Sequence, residues 1–132
     1  MIQANELRIN DYILDRSGKL LRVDWLERDK VCMKMEINGQ EVHPMTDYFE
    51  YLQPIPLTEE LLLECGSTST VKGFHYHDRF SLRWVEAYKY WYVTDMETGC
   101  YITKVEFLHE WQNTWYVLQG EELNIEICKT DK

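Results

Sequence analysis

Hydrophobic and polar residues alternate along much of the first fifty positions, which is the pattern of half-buried β-strands. Every second residue is apolar in "LRVDW", and "KVCMKMEI" repeats the pattern. "RSG" precedes the first of these segments, and Asn38-Gly39 follows the second as a favoured type I′ turn pair. We therefore predict successive antiparallel hairpins. Pro44 is predicted to end the returning strand, because proline lacks the backbone donor that a ladder requires.

These strands predict an N-terminal lobe over residues 1–53. Four short strands that follow one another within fewer than fifty residues favour a small antiparallel β-barrel of the SH3-like kind. The apolar and aromatic residues after the last strand are predicted to close its open end; they are Tyr48, Phe49, Tyr51 and Leu52.

Prolines mark the start of a second predicted lobe, residues 54–132. Pro54 and Pro56 keep the backbone extended. Thr58, followed by two glutamates, is typical of a helix start, and Gly66 of a left-handed helix end. We predict a short helix between them. The "STSTVKG" segment that follows is predicted to be a loop.

The rest of the second lobe is predicted to be an antiparallel meander with one long helix. "GFHYH", "FSLRWV", "AYKYWYVTD" and "GCYITK" have strand patterns, and the short helix is expected across one face. "TKVE", which begins at Thr103, fits a capping box and predicts the start of a helix that ends at Gly120. "LNIEI" predicts a final strand. The fold class is therefore α+β, and the two lobes are expected to form one compact unit.

The long helix carries two stripes of side chains. An apolar stripe predicts the face that packs against the meander; it consists of Leu108, Trp111, Trp115 and Leu118, with Phe107 beside it. A polar stripe lies next to it and consists of His109, Gln112, Asn113 and Tyr116. Either the polar stripe braces neighbouring segments or it forms a recognition surface. We expect Asn113 and Tyr116 to brace, and His109 and Gln112 to be exposed.

Composition and charge narrow the choice of partner. The chain is 45% hydrophobic and 14% aromatic, which suits a folded domain. Fourteen basic and 23 acidic residues give a net charge of −9, which repels a phosphate backbone. We therefore expect no nucleic acid partner. Mimicry of DNA by ordered carboxylates is an alternative, and it would need a continuous acidic ridge.

The cysteines and the N-terminus indicate a cytoplasmic setting. Cys32, Cys65, Cys100 and Cys128 are far apart and include no Cys-x-x-Cys pair. The polar first residues have no signal-peptide core, and no apolar run approaches the ~20 residues of a membrane span. We expect no membrane partner and free thiols that pack as small hydrophobes.

Catalytic and metal-binding motifs are incomplete. His109-Glu110 begins a His-Glu-x-x-His zinc motif, but Asn113 occupies the position of the second histidine. His75 and His77 share a strand face, yet only Asp78 adjoins them, and a closed zinc site needs more ligands. No phosphate-binding loop or nucleophile elbow occurs. We assign no catalytic residue, no cofactor and no metal ligand.

Three segments resemble a known family. "ANELRINDYI", "QPIPLTEELL" and "FLHEWQNTWYVLQGEEL" are similar to recurring segments, approximately NELRIGN, PIPLTEE and LHELQNLYFALTGEEL, of small proteins from Bacteroides-group genomes. These proteins occur often in phage or mobile-element settings and carry no established activity. The chain departs from that pattern with Asn10 for a glycine, with Trp111 and Trp115 near leucine and tyrosine positions, and with Gln119 for a threonine. The resemblance implies a genomic setting and no particular reaction.

The leading hypothesis is a non-enzymatic protein-interaction module with an unknown protein partner, in the setting of a phage or mobile-element accessory protein. The polar stripe of His109, Gln112, Asn113 and Tyr116 is the candidate surface. The alternative is a small enzyme whose site assembles from scattered residues such as His75, His77 and Cys100. A pocket that holds several of these residues would favour the enzyme.

Overall fold

The computed structural model describes residues 6–27, 30–37 and 40–125, and for residues 35–37 and 40–45 it describes the backbone alone. The fold is α+β, with two antiparallel sheets. The strands are β1 (Tyr12–Leu14), β2 (Leu20–Leu26), β3 (Lys30–Ile37), β4 (Gln40–Tyr48), β5 (Thr68–Val71), β6 (Phe74–His77), β7 (Phe80–Val85), β8 (Tyr90–Asp95) and β9 (Cys100–Val105). The helices are a 3₁₀ helix at Phe49–Tyr51, α1 (Glu59–Glu64) and α2 (Leu108–Gln119).

The chain divides into two compact units, and the long helix belongs to the first. The first unit holds Met1–Ile55 and Phe107–Glu121, and the second holds Pro56–Glu106 and Glu122–Lys132. The sequence predicted a boundary at residue 53 and placed the helix with the meander. The structure instead groups α2 with the N-terminal sheet, because its side chains bond to residues about a hundred positions upstream.

The first sheet has the strand order β1-β2-β3-β4, each strand antiparallel to the next. The alternating pattern predicted these strands, and their core faces meet in a cluster of Leu7, Ile13, Leu21, Val23, Val31, Met33 and Leu52. After the 3₁₀ helix the chain returns to β1, where Leu14 and Gln53 exchange two backbone hydrogen bonds of 3.0 and 2.9 Å. The predicted Asn38-Gly39 turn lies outside the described residues.

Pro44 does not end β4, contrary to the prediction. The strand continues to Tyr48, and the register shifts at the proline. Met33 faces Met45 and Met35 faces Val42, so one residue of β3 lies opposite two residues of β4. Such a bulge, on a strand at the edge of its sheet, leaves room for a residue that cannot donate to the ladder.

The second unit is a five-stranded meander, β5-β6-β7-β8-β9, and Glu59 of α1 bonds to His75 and to the Gly73 backbone N–H of this unit. Thr58 caps α1 by accepting the Leu61 backbone N–H at 3.2 Å, and Gly66 takes a left-handed φ of +99°, both as predicted. Of the consecutive leucines Leu61, Leu62 and Leu63 on α1, only Leu62 is buried. The "STSTVKG" loop prediction was wrong, because the β-branched residues of Thr68–Val71 pair with β6.

Helix α2 begins later than predicted. Thr103 lies in β9 opposite Val93, and the helix starts at Leu108. The carboxylate that caps it belongs to Glu110, which accepts the Phe107 backbone N–H at 3.0 Å. Gly120 ends the helix in a left-handed conformation, as predicted. Residues 122–125 have no regular structure, so the predicted final strand is absent there, and its last residues lie outside the described part.

The apolar stripe of α2 is mostly core. Leu108 and Trp111 are fully buried and Trp115 is 7% exposed, whereas Leu118 is 37% exposed and does not join the core. The rings of Trp111 and Trp115 pack edge to face with their centroids 5.8 Å apart. Across the described residues, no helix combines the length and the apolar character that a membrane span needs.

Candidate interaction surface on helix α2

Gln112 joins α2 to the first strand through both ends of its amide. The Tyr12 backbone N–H donates to Gln112 Oε1 at 2.8 Å, and Gln112 Nε2 donates to the Asn10 carbonyl at 3.1 Å. The side chain is 2% exposed. An amide offers one acceptor and one donor group, and here it uses them as a neighbouring strand would. Gln112 therefore holds the backbone just before and at the start of β1.

Asn113 extends this contact towards the N-terminus, to Glu6 and Arg8. Its Nδ2 donates to the Glu6 carbonyl at 2.8 Å, and its Oδ1 accepts from Arg8 Nε at 3.2 Å. Together with Gln112, it attaches residues 6–12 to the helix. Asn10 within that segment has a φ of +79°, a conformation that asparagine and glycine tolerate best. The resemblance places a glycine at this position, and the backbone shows why either residue suits it.

His109 lies in the interior. Its ring is fully buried, is parallel to the Phe107 ring at 6.0 Å, and has Nε2 3.6 Å from Glu6 Oε1. Burial lowers the pKa of His109, although the Glu110 and Glu6 carboxylates act in the opposite direction. Burial therefore favours the neutral imidazole, and the ring fills space beside the N-terminal segment.

Tyr116 is the member of the polar stripe that remains exposed. It is 41% exposed, and the Arg8 guanidinium carbon lies 4.2 Å from its ring centroid. Val117 and Leu118 follow it and are 80% and 37% exposed. Three consecutive apolar or aromatic side chains therefore reach solvent at the end of α2.

The stripe thus divides between bracing and exposure, in a different way from the prediction. The expected exposure of His109 and Gln112 was wrong, because both are buried. The bracing role expected of Asn113 is confirmed by its two hydrogen bonds. Tyr116 contacts Arg8 but stays accessible. A recognition surface on α2 must therefore centre on Tyr116 and the two residues after it.

A second polar cluster joins α1 to the meander in the second unit. Ser67 Oγ lies 2.9 Å from His75 Nδ1, and Glu59 Oε1 lies 3.1 Å from His75 Nε2. Glu59 also accepts the Gly73 backbone N–H at 2.9 Å. That backbone bond, followed by the contact with His75, lowers the pKa of Glu59. Sequence reasoning noticed His75 but missed its serine and glutamate partners, since neither lies close to it along the chain.

The other residues proposed for an enzyme site are not brought together. His77 and Cys100 belong to one register row but are three strand spacings apart, about 14 Å across a sheet. Cys100 is exposed, so the expectation that it packs as a buried hydrophobe was wrong. Burial raises the pKa of Cys65 to about 12 and makes its thiol a poor nucleophile.

His77 and Asp78 were the neighbours of His75 that could have extended a metal site. Burial lowers the pKa of His77, and Asp78 opposes that shift. Within residues 6–27, 30–37 and 40–125, no group of three or more His, Cys, Asp or Glu side chains has the arrangement that a metal ion needs.

Comparison with protein-family models, curated proteins and solved structures finds no match to this chain.

Proposed function

We propose that this protein is a non-enzymatic protein-interaction module that binds its partner through the exposed end of α2. The surface consists of Tyr116, Val117 and Leu118, with Arg8 over the tyrosine ring. The observation that carries the proposal is the 80% exposure of Val117 between two further exposed apolar side chains. Tyrosine and arginine are enriched among residues that dominate binding energy at protein interfaces.

The base of this surface is rigid, which favours binding. Gln112 and Asn113 fix the helix to residues 6–12, and Arg8 belongs to that fixed segment. A surface that is already ordered loses less conformational entropy when a partner binds. The buried part of the polar stripe therefore supports the exposed part.

The enzyme alternative named His75, His77 and Cys100, and of these His75 belongs to a polar cluster. Its partners Ser67 and Glu59 give the order of a nucleophile, base and orienting acid. Ser67 is only 5% exposed. Its backbone N–H donates to the Leu62 carbonyl, and the Gly66 N–H donates to the Leu63 carbonyl. Neither amide is available to stabilise an oxyanion. A structural role that fixes α1 to β6 is favoured over catalysis.

We also propose that the first sheet closes as an SH3-like barrel. The support is the order of four antiparallel strands, a 3₁₀ helix and a return of Gln53 to β1. Slow amide exchange at both Leu14 and Gln53 is expected, and fast exchange at either would contradict closure. We further propose that the protein is encoded by a phage or mobile element and acts in the cytoplasm of Bacteroides-group bacteria.

The experiment is affinity capture from Bacteroides-group lysate, with and without phage infection, using wild type and Val117→Glu. Val117 is largely exposed, so the variant should keep its stability within about 0.5 kcal/mol and lose the partner. Leu63→Glu is the matched control, because Leu63 is 52% exposed on a helix of the other unit. A partner that Val117→Glu retains as well as wild type would contradict the proposal.

A further inference from the structure

The second sheet has an outward face of aromatic and basic side chains. Register places Phe74, Arg83, Tyr92 and Lys104 in one row across β6, β7, β8 and β9. The next row contains Tyr76, Ser81, Thr94 and Tyr101. Side chains alternate between the faces of a strand, and the opposite face holds buried residues that include His75, Leu82 and Val93. We call this outward surface the tyrosine face.

The aromatic rings on the tyrosine face are grouped and accessible. Tyr101 is 51% exposed and its ring centroid lies 4.4 Å from that of Tyr92. Tyr76 is 38% exposed and packs against Phe74 at 5.0 Å. Ser81 and Thr94 lie between Tyr76 and Tyr101 in their row, and Ser81 is only 7% exposed. An antiparallel sheet with one covered face commonly carries polar residues on the other. The rings on this face are therefore candidates for contact with a ligand.

Cations lie beside the rings. The Arg83 guanidinium carbon is 5.7 Å from the Tyr92 ring centroid, and Lys104 Nζ is 5.0 Å from that of Tyr90. The structure describes every residue of β6 to β9, and none of their outward positions in the paired rows is Asp or Glu. The net charge of −9 therefore belongs to other parts of the surface. The expectation of no nucleic acid partner rested on the net charge of the whole chain, whereas the paired outward positions of β6 to β9 carry Arg83 and Lys104.

A single strand of nucleic acid matches this combination best. Proteins that bind single strands use aromatic side chains on which bases stack, together with cations that contact the phosphates. The four-stranded sheet of RNA-recognition domains does so on an open face. Bases in a duplex are already stacked on one another and cannot cover a flat sheet. An acidic peptide would pair with the two cations but would leave most of the ring surface unused.

We propose that the tyrosine face binds single-stranded nucleic acid, with bases stacked on Tyr76 and Tyr101 and phosphates near Arg83 and Lys104. This activity is additional to protein binding at the end of α2 and uses a different unit of the chain. DNA and RNA share this chemistry, so both belong in the test.

The test measures fluorescence anisotropy of labelled oligothymidine and oligouridine of about 12 nucleotides, a length within the site sizes of single-strand-binding domains. The full-length protein should bind at least one of them at low salt and should bind a duplex of the same length more weakly. Tyr101→Ala should weaken binding about 5- to 150-fold, as loss of one stacked base does, and Tyr101→Phe should retain it. Arg83→Gln should reduce the slope of log affinity against log salt by about 0.7.

The control is Tyr51→Ala, which removes a ring of similar exposure from the other unit and should leave oligonucleotide binding unchanged. Thermal melts confirm that each variant is folded, and Tyr76→Ala provides a second position if Tyr101→Ala is unstable. Three results would each overturn the proposal: no binding of either oligonucleotide by wild type, equal affinity for the duplex, or equal affinity of Tyr101→Ala and wild type. Loss of a captured protein on Tyr101→Ala, without oligonucleotide binding by wild type, would assign the face to a protein instead.

Discussion

Replacing Gln112 by methionine should destabilise the first unit by about 2–4 kcal/mol. Methionine has nearly the same length and volume, so packing is largely kept and the hydrogen bonds are lost. The buried Tyr12 N–H would lose its partner, at a cost of about 1–3 kcal/mol. The Asn10 carbonyl is only partly buried and can bind water instead, so its loss should contribute about 1 kcal/mol.

Two measurements check this prediction. Urea melts give the change in the free energy of unfolding, and amide hydrogen exchange by NMR reports on the Tyr12 N–H itself. The exchange measurement is needed because two units can unfold separately, and a single melting curve would then mix them. In Gln112→Met, the Tyr12 amide should exchange much faster than in wild type, and amides of β7 and β8 in the second unit should be unchanged.

The control for this prediction is Val117→Ala on the same helix, which should change stability by less than about 0.5 kcal/mol because Val117 is exposed. A cost below 0.5 kcal/mol for Gln112→Met, with an unchanged exchange rate at the Tyr12 amide, would refute the claim that Gln112 holds α2 to β1.

Three further predictions concern the core, the buried histidine and the backbone. Trp111→Ala and Trp115→Ala should each cost about 3–5 kcal/mol in urea melts, because both rings are buried, and a loss under 1 kcal/mol would contradict this. The folded-state pKa of His109 lies below 6.5, so the unfolded chain takes up a proton first as the pH falls. Stability should therefore decrease below pH 6.5, and this decrease should be less steep in His109→Gln than in the protein with His109. Both proteins should also carry His77→Gln, because the pKa of His77 is lowered too and would add its own pH dependence. Asn10→Ala should be about 1–2 kcal/mol less stable than Asn10→Gly, since both lose the same side-chain bonds and only alanine is strained at a φ of +79°; equal melting temperatures would argue against the left-handed conformation.

The strands and the short helix could be predicted because their signals are local. A period of two in the apolar residues predicted β2 and β3, and Thr58 and Gly66 predicted both ends of α1. Pro44 misled the prediction, because a bulge depends on the partner strand and cannot be inferred from one strand alone. The start of α2 was misplaced because Thr103 and Glu106 match a capping box, whereas Phe107, the residue before the helix, has no side-chain acceptor. Thr103 instead pairs within β9, and only the Glu110 carboxylate caps the helix start.

The packing partner of α2 could not be predicted. Its apolar stripe suits any apolar sheet, and the nearest sheet along the chain is the meander. The choice depends on Gln112 and Asn113, whose partners at Tyr12 and Glu6 are more than ninety residues away. The position of an amide side chain in a periodic pattern does not indicate which distant residue it will bond to. For the same reason, exposure was assigned to the wrong members of the polar stripe.

The tyrosine face was partly visible in the sequence. Tyr90 and Tyr92 stand at alternate positions of "AYKYWYVTD", which places both side chains on one face of a strand. The rows that add Arg83 and Lys104 require the register of three hairpins. These rows follow from the strand boundaries and from the turns that join β7 to β8 and β8 to β9.

The central claim is that α2 uses one side to hold residues 6–12 and its exposed end to bind a protein. Site-specific photocrosslinking in Bacteroides-group cells tests this most directly, with a benzophenone amino acid in place of Val117 and, in parallel, of Leu63. Both positions are exposed apolar residues on helices. The account predicts a discrete crosslinked protein from position 117 and none from position 63. The same crosslinked proteins from both positions, or none from position 117, would contradict it.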